Sequence, residues 1–90
     1  MNELLFSVIL PVYNVAPYLP ECLDTLLPQA DDSTEVILVD DGATDGSGSI
    51  CDTYAARFAQ NVRVIHQPNR GVAAARNTGL RAASGAYIVW

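Results

Sequence analysis

Lysine is absent from this ninety-residue chain, and the five cationic side chains are all arginines spread singly between Arg57 and Arg81. Binding to nucleic acid needs basic residues clustered on one face, so that partner is excluded. Cysteine is scarce too: Cys22 and Cys51 fit no metal-ligand spacing. Both fall in expected helices and read as small buried hydrophobes in a reducing compartment. No apolar run approaches the roughly 20 residues of a membrane span. The opening MNELLFSVIL lacks a positive stretch ahead of its apolar run and reads as the approach to a strand, not a secretory signal. A cytoplasmic location is therefore expected.

Hydrophobic residues make up 50% of the chain, enough for the core of one small domain and too many for disorder. Charge is divided unevenly. All ten acidic residues lie between Glu3 and Asp52, and all five basic ones follow them. Such a split points to anion binding by the basic part or to two halves that neutralise each other in the fold.

The chain alternates strand and helix signals. Phe6–Val12 (FSVILPV) is a short β-branched run, with Pro11 near its end where a missing N–H matters least. A helix is expected from Pro17 to Leu27, with prolines in its first turn and an apolar face of Leu19, Cys22, Leu23, Leu26 and Leu27. Glu35–Val39 is a continuous aliphatic run, as in a strand buried on both faces. Thr44, Asp45 and Ser47 are cap-forming residues ahead of a helix that carries Ile50, Tyr54 and Phe58 and ends near Ala59. Val62–His66 is a third strand, Val72–Ala83 an alanine-rich helix, and SGAYIVW a fourth strand reaching Trp90. The fold class is α/β, a parallel β-α-β-α-β-α-β sheet with flanking helices. A strand at the last residue implies one partial domain, 1–90, of a longer protein. Its exposed final strand implies a tendency to self-associate.

The stretch EVILVDDG drives a buried strand into two adjacent carboxylates, Asp40 and Asp41. In an open α/β sheet, ligands bind outside the carboxyl ends of the strands. If the first two strands are neighbours, Tyr13 and Asp41 share one crevice. An aromatic ring and a carboxylate suit a flat heterocycle, one stacking on its face and the other accepting from its edge. Asn69, Arg70 and Gly71 precede the third helix, whose amino end favours anions, and Arg76 offers a guanidinium for phosphate. Each residue also has a purely structural reading. Asp40 satisfies nearby backbone N–H groups, Tyr13 is a packing lid, Arg76 pairs with the acidic half, and His66 is a structural histidine. Arg57 and Arg63 are expected to be solvated.

Three rival motifs fit less well. GSGSIC lacks the third glycine of a dinucleotide fingerprint and follows the second strand, not the first. A calcium loop begun at Asp41 has Ala43 at a position needing an oxygen ligand. A receiver-type phosphoacceptor domain needs an aspartate where the third strand ends in His66-Gln67-Pro68. A binding-only nucleotide module with no chemistry is the remaining alternative.

SVILPVYN, YLPECLDTLLPQ, EVILVDDGATDGSG and QPNRGVAAARNTGLRAASGAYIVW together resemble the start of a family 2 glycosyltransferase. The resemblance implies the nucleotide-binding, Rossmann-like amino-terminal half of a GT-A fold, truncated at the fourth strand. It implies transfer of a sugar, with inversion, from a nucleotide-diphosphate donor such as a UDP-sugar to an acceptor saccharide or glycolipid, in cell-wall or polysaccharide synthesis. By the same resemblance, Pro11 and Tyr13 line the base pocket, Asp41 accepts from the base beside Asp40, and Arg76 reaches the base or the diphosphate. Asn69, in the loop before the third helix, joins these as a candidate nucleotide-site residue. The metal-binding DXD-type triplet, holding Mn2+ or Mg2+, and the base for the acceptor hydroxyl are expected beyond Trp90. The location implied is cytoplasmic, up to the inner face of the membrane.

Overall fold

The computed structural model describes residues 6–85 and 87–89. The elements are β1 (Phe6–Val12), α1 (Leu19–Leu26), a 3₁₀ turn (Leu27–Gln29), β2 (Thr34–Asp41), α2 (Ser47–Arg57), β3 (Val62–Gln67), α3 (Val72–Ala82) and β4 (Tyr87–Val89). Trp90, expected as the last residue of β4, lies outside the described residues. All pairings are parallel and the strand order is β3-β2-β1-β4. The two strands whose tips were expected to meet are direct neighbours, with Val12 opposite Asp40.

Strand alternation divides the core between the two faces of the sheet. Val12, Val36 and Leu38 pack with Leu19, Leu23 and Cys51 of α1 and α2 on one side. Ile9, Ile37 and Val39 pack against Ala75 of α3 on the other. Residues 36–39 have no exposed surface, as their unbroken aliphatic run requires. The fit under α3 is close. A Cβ on Gly79 would lie 2.4 Å from Cγ2 of the fully buried Ile9.

Helix α1 starts two residues later than the proline pattern predicts. The N–H groups of Tyr18 and Leu19 both donate to the Val15 carbonyl, so a turn occupies the positions before Leu19. Pro20 then falls in the first turn, where no N–H is required. Pro28 has no N–H for a further α-helical bond, and the chain tightens into the 3₁₀ turn. The expected burial of Cys22 does not hold: it is exposed, whereas Cys51 is buried. The core-facing line of α1 follows Leu19, Leu23 and Leu27, and Cys22 stands beside it. Burial, and then the charges of Asp40 and Asp52, push the Cys51 thiol up to about 12, so it stays protonated and inert.

At the amino end of the sheet, Glu35 is buried beneath the end of α3. Its Oε2 accepts from Ser7 Oγ at 2.6 Å and from the Ser84 N–H at 2.6 Å. Arg63 is exposed, as expected, and also approaches Glu35 Oε1 at 3.6 Å and donates to the Ala82 carbonyl at 3.1 Å. Arg57 instead lies over the Tyr54 and Phe58 rings, 5.0 and 5.5 Å from their centroids.

The packing of α3 gives a direct test. Gly79→Val forces a branched side chain into the space of Ile9, and overpacking of this kind costs about 1–3 kcal/mol. A lower denaturant midpoint with an unchanged slope is the expected result of chemical unfolding.

Candidate functional site

Strand β2 runs two residues further than its aliphatic stretch predicts, because Asp40 and Asp41 pair in register with His66 and Gln67 of β3. Both carboxylates therefore belong to the strand. Adjacent strand residues point to opposite faces, so the doubled charge is two separate charges. Each meets its own set of partners.

Asp41 is on the α3 side and is 3% exposed. Its Oδ1 accepts from Gln67 Nε2 at 2.9 Å and from the Arg70 N–H at 2.9 Å. Its Oδ2 accepts from the Gly71 N–H at 2.9 Å, with Asn69 Nδ2 at a long 3.5 Å. The Gln67 hydrogen bond, then those from Arg70 and Gly71, hold its carboxyl below the usual aspartate range. Gln67 is itself fixed by the Thr78 hydroxyl of α3, at 2.6 Å. The turn after Asp41 needs Gly42, whose φ is 72° and where a Cβ would sit 2.6 Å from the Asn69 nitrogen. The loop from Gln67 to Gly71 is thus wrapped around one carboxylate.

Asp40 faces the other way. Its Oδ1 accepts from the Ala43 N–H at 3.0 Å, and its Oδ2 meets His66 Nδ1 at 2.7 Å. His66 Nε2 meets Asp52 of α2 at 2.8 Å. An imidazole that donates to a carboxylate from each nitrogen is the charged form. Hydrogen bonds to Asp40 and then to Asp52 raise its pKa above 6.5.

A crevice of about 440 Å³ opens at the tips of β1 and β2, lined by Pro11, Tyr13, Asp41, Asn69, Gly71 and Val72. That volume is within the usual range for small-molecule sites. Tyr13 is half exposed and forms one wall, while Asp41 lies at the base of the other. Four of the six residues expected at a nucleotide site, Pro11, Tyr13, Asp41 and Asn69, are brought together here. Asp40 is not among them. Alternation turns it to the α2 face, where its observed contacts are the structural ones. Arg76 is exposed on α3, one residue past the crevice-lining Ala75, and does not line the crevice. A larger groove of about 610 Å³ beside α1 is lined by Val8, Leu10, Tyr18, Cys22 and Leu26 together with Glu21, Thr25 and Gln29. It meets β1 along its middle rather than at its carboxyl tip, and the Thr25 and Gln29 side chains already donate to backbone carbonyls of the helix.

Sequence reasoning missed Gln67, the cross-strand partner of Asp41, and the two-carboxylate setting of His66. It also missed that Asn14, Asp45 and Ser47 tie two loops together. For Gln67 and His66 a signal was available: once β2 is extended through the aspartates, the parallel register puts HQ opposite DD.

The sequence matches Glycosyl transferase family 2 over residues 7–90. The chain belongs to this family. Its family 2 sequence is 54% identical to glycosyltransferase EpsJ of Bacillus subtilis over 93% of the chain and 24% of EpsJ. Its fold superposes on TarS of S. aureus in complex with UDP-GlcNAc with a TM-score of 0.82 and 34% identity, over 94% of this chain and 25% of that one. A mannosyltransferase from Pyrobaculum calidifontis, in complex with GDP-Man and Mn2+, matches at TM-score 0.80 and 34% identity, over 92% and 25%. The chain thus spans about a quarter of the length of each of these three proteins, and its sheet is the amino-terminal, Rossmann-like half of the GT-A fold.

Among the described residues, no group of three or more His, Cys, Asp or Glu is placed to hold a metal ion. Asp40, His66 and Asp52 are adjacent, but both imidazole nitrogens are already engaged by carboxylates. Among the same residues, no helix is long and apolar enough to cross a membrane.

Two pH responses follow with opposite signs. The raised His66 pKa contributes stability that is complete below pH 6.5 and is lost as pH rises through the folded-state value. The thermal midpoint should fall as pH rises above 6.5, and His66→Gln should flatten that part of the curve. The lowered Asp41 pKa contributes stability present above about pH 3.8 and lost as pH falls through its folded value. Asp41→Asn should remove this acid-side slope and speed amide exchange at Arg70 and Gly71.

Proposed function

We propose that this chain forms the donor-nucleotide half of a glycosyltransferase that moves a sugar, with inversion, from a nucleoside diphosphate to an acceptor hydroxyl. The observation that carries this reading is the shared crevice of Tyr13 and Asp41 at the tips of two adjacent parallel strands. A planar base stacks on the half-exposed Tyr13 ring. Its N–H edge donates to Asp41 Oδ2, whose second acceptor position is filled only by the long Asn69 contact. Holding Asp41 ionised preserves that acceptor at neutral pH. The amino end of α3 at Val72 borders the same crevice and faces the diphosphate with unpaired N–H groups, with Arg76 one turn further on.

Residues 1–90 act as one partial domain in this reading. Deprotonating the acceptor hydroxyl requires a positioned base, and no residue matching the family pattern here supplies one. Binding of the donor is therefore the activity assigned to this chain, and turnover to the whole protein. The mannosyltransferase was solved in complex with GDP-Man and Mn2+. In this reading the whole protein uses a divalent cation too, and no group of three or more His, Cys, Asp or Glu among the residues described is placed to hold it. Uridine is the first base to test, since TarS was crystallised with UDP-GlcNAc. The acceptor is a saccharide or glycolipid, met in the cytoplasm or at the inner face of the membrane.

Titration with UDP and with GDP, followed by amide NMR, tests the reading. Shifts are expected at Tyr13, Asn69, Gly71 and Val72 and not along the α1 groove. Tyr13→Ala should weaken binding by about tenfold, the size of one lost stacking contact, with little change in thermal midpoint. Absence of crevice shifts with both nucleotides at millimolar concentration would refute the assignment.

A further inference from the structure

The loop that carries Tyr13 is held by three successive side-chain-mediated contacts to the turn after β2. Asn14 Oδ1 accepts from the Thr44 N–H at 2.8 Å, with the Thr44 hydroxyl at 3.5 Å. The Val15 N–H donates to Ser47 Oγ at 3.0 Å. The Ala16 N–H donates to Asp45 Oδ2 at 3.0 Å. Asp45 Oδ1 in turn accepts from the Ser47 N–H at 3.0 Å and from its hydroxyl at 2.5 Å, which orients that hydroxyl to accept from Val15. Ser47 has no exposed surface, so this anchor is part of the α2 packing.

Asn14 has φ of 51° and is the one non-glycine residue at positive φ among the described residues. Asparagine tolerates that conformation better than most residues, yet it is uncommon and tends to persist where the surroundings demand it. Here it turns the chain immediately after Tyr13, from the β1 direction toward residues 44–47. Tyr13 is thereby fixed from both sides: by the ladder through Val12, and by the clamp through Asn14. The ring itself is half exposed, so its placement depends heavily on the backbone.

We propose that Asn14 is a positioning residue for the donor base, its left-handed turn and side-chain carbonyl setting the Tyr13 ring at the distance from Asp41 that a planar heterocycle fills. The proposal rests on the donor-binding reading above. It predicts that losing the Asn14 acceptor impairs base recognition even when the turn is free to form.

Two substitutions separate acceptor from conformation. Asn14→Gly keeps access to positive φ and removes the carbonyl. Asn14→Asp keeps an acceptor and tolerates the same φ. UDP is titrated into each variant at high salt, which screens the added charge. Asn14→Gly should bind roughly two- to tenfold more weakly, the range of one lost hydrogen bond. Asn14→Asp should restore binding to within about threefold of the parent, by the same measure. In the nucleotide-free proteins, carbon relaxation of the Tyr13 ring should show greater motion in Asn14→Gly alone, together with faster exchange of the Thr44 amide. Equal UDP binding by the two variants, or an unchanged Tyr13 ring in Asn14→Gly, overturns the proposal. If the parent chain binds neither UDP nor GDP, the donor reading falls, and with it the base-positioning role; the ring measurement then reports only whether Asn14 orders Tyr13.

Discussion

One carboxylate organises the carboxyl end of this sheet. Asp41 is almost fully buried, and a buried charge is tolerated only when hydrogen bonds replace the water it has lost. Those bonds come from Gln67 on β3 and from the backbone at Arg70 and Gly71, so satisfying the charge also shapes the entry to α3. The crevice follows from this arrangement. Its floor is the organised carboxylate, its α3 side is the loop the carboxylate holds, and its remaining wall is the Tyr13 turn of the neighbouring strand.

The unequal distribution of charge along the sequence takes on a local meaning in the structure. Glu35 of the acidic segment meets Arg63 of the basic one. Asp40 and Asp52 share His66, whose two carboxylate contacts favour its charged form, a contribution absent from a count of arginines alone. Asp41 is met by neutral N–H groups. Neutralisation between the two segments therefore accounts for part of the pattern at specific pairs, and the donor-binding reading concerns Asp41.

Much of the architecture was legible because it follows from period. The aliphatic run before Asp40 required a strand covered on both faces, and alternating strands and helices required parallel pairing. The crevice was legible from one topological rule applied to Tyr13 and Asp41. What could not be read depended on register and direction. Whether β2 stops before Asp40 or continues through Asp41 is decided by His66 and Gln67 opposite, more than two dozen residues away. That continuation turns Asp40 out of the crevice. Cys22 lies in an apolar helical pattern, yet its burial depends on which stripe meets the sheet, and the Leu19–Leu23–Leu27 line fills that role. Arg76 was expected to reach inward, but the crevice lining contacts α3 at Val72 and Ala75 instead.

The far end of β2 has a buried carboxylate as well. Glu35 and Asp41 stand six residues apart on the same face of one strand, each held by donors from distant parts of the chain. Sliding β2 by one position would turn both toward the α1–α2 layer and strand two charges without donors. The interior Val36–Val39 run is nearly indifferent to such a slip, since it is apolar on both sides. The strand is therefore gauged at its two ends, like a rod between the jaws of a caliper, and its alignment depends on polar groups that add little cohesion of their own.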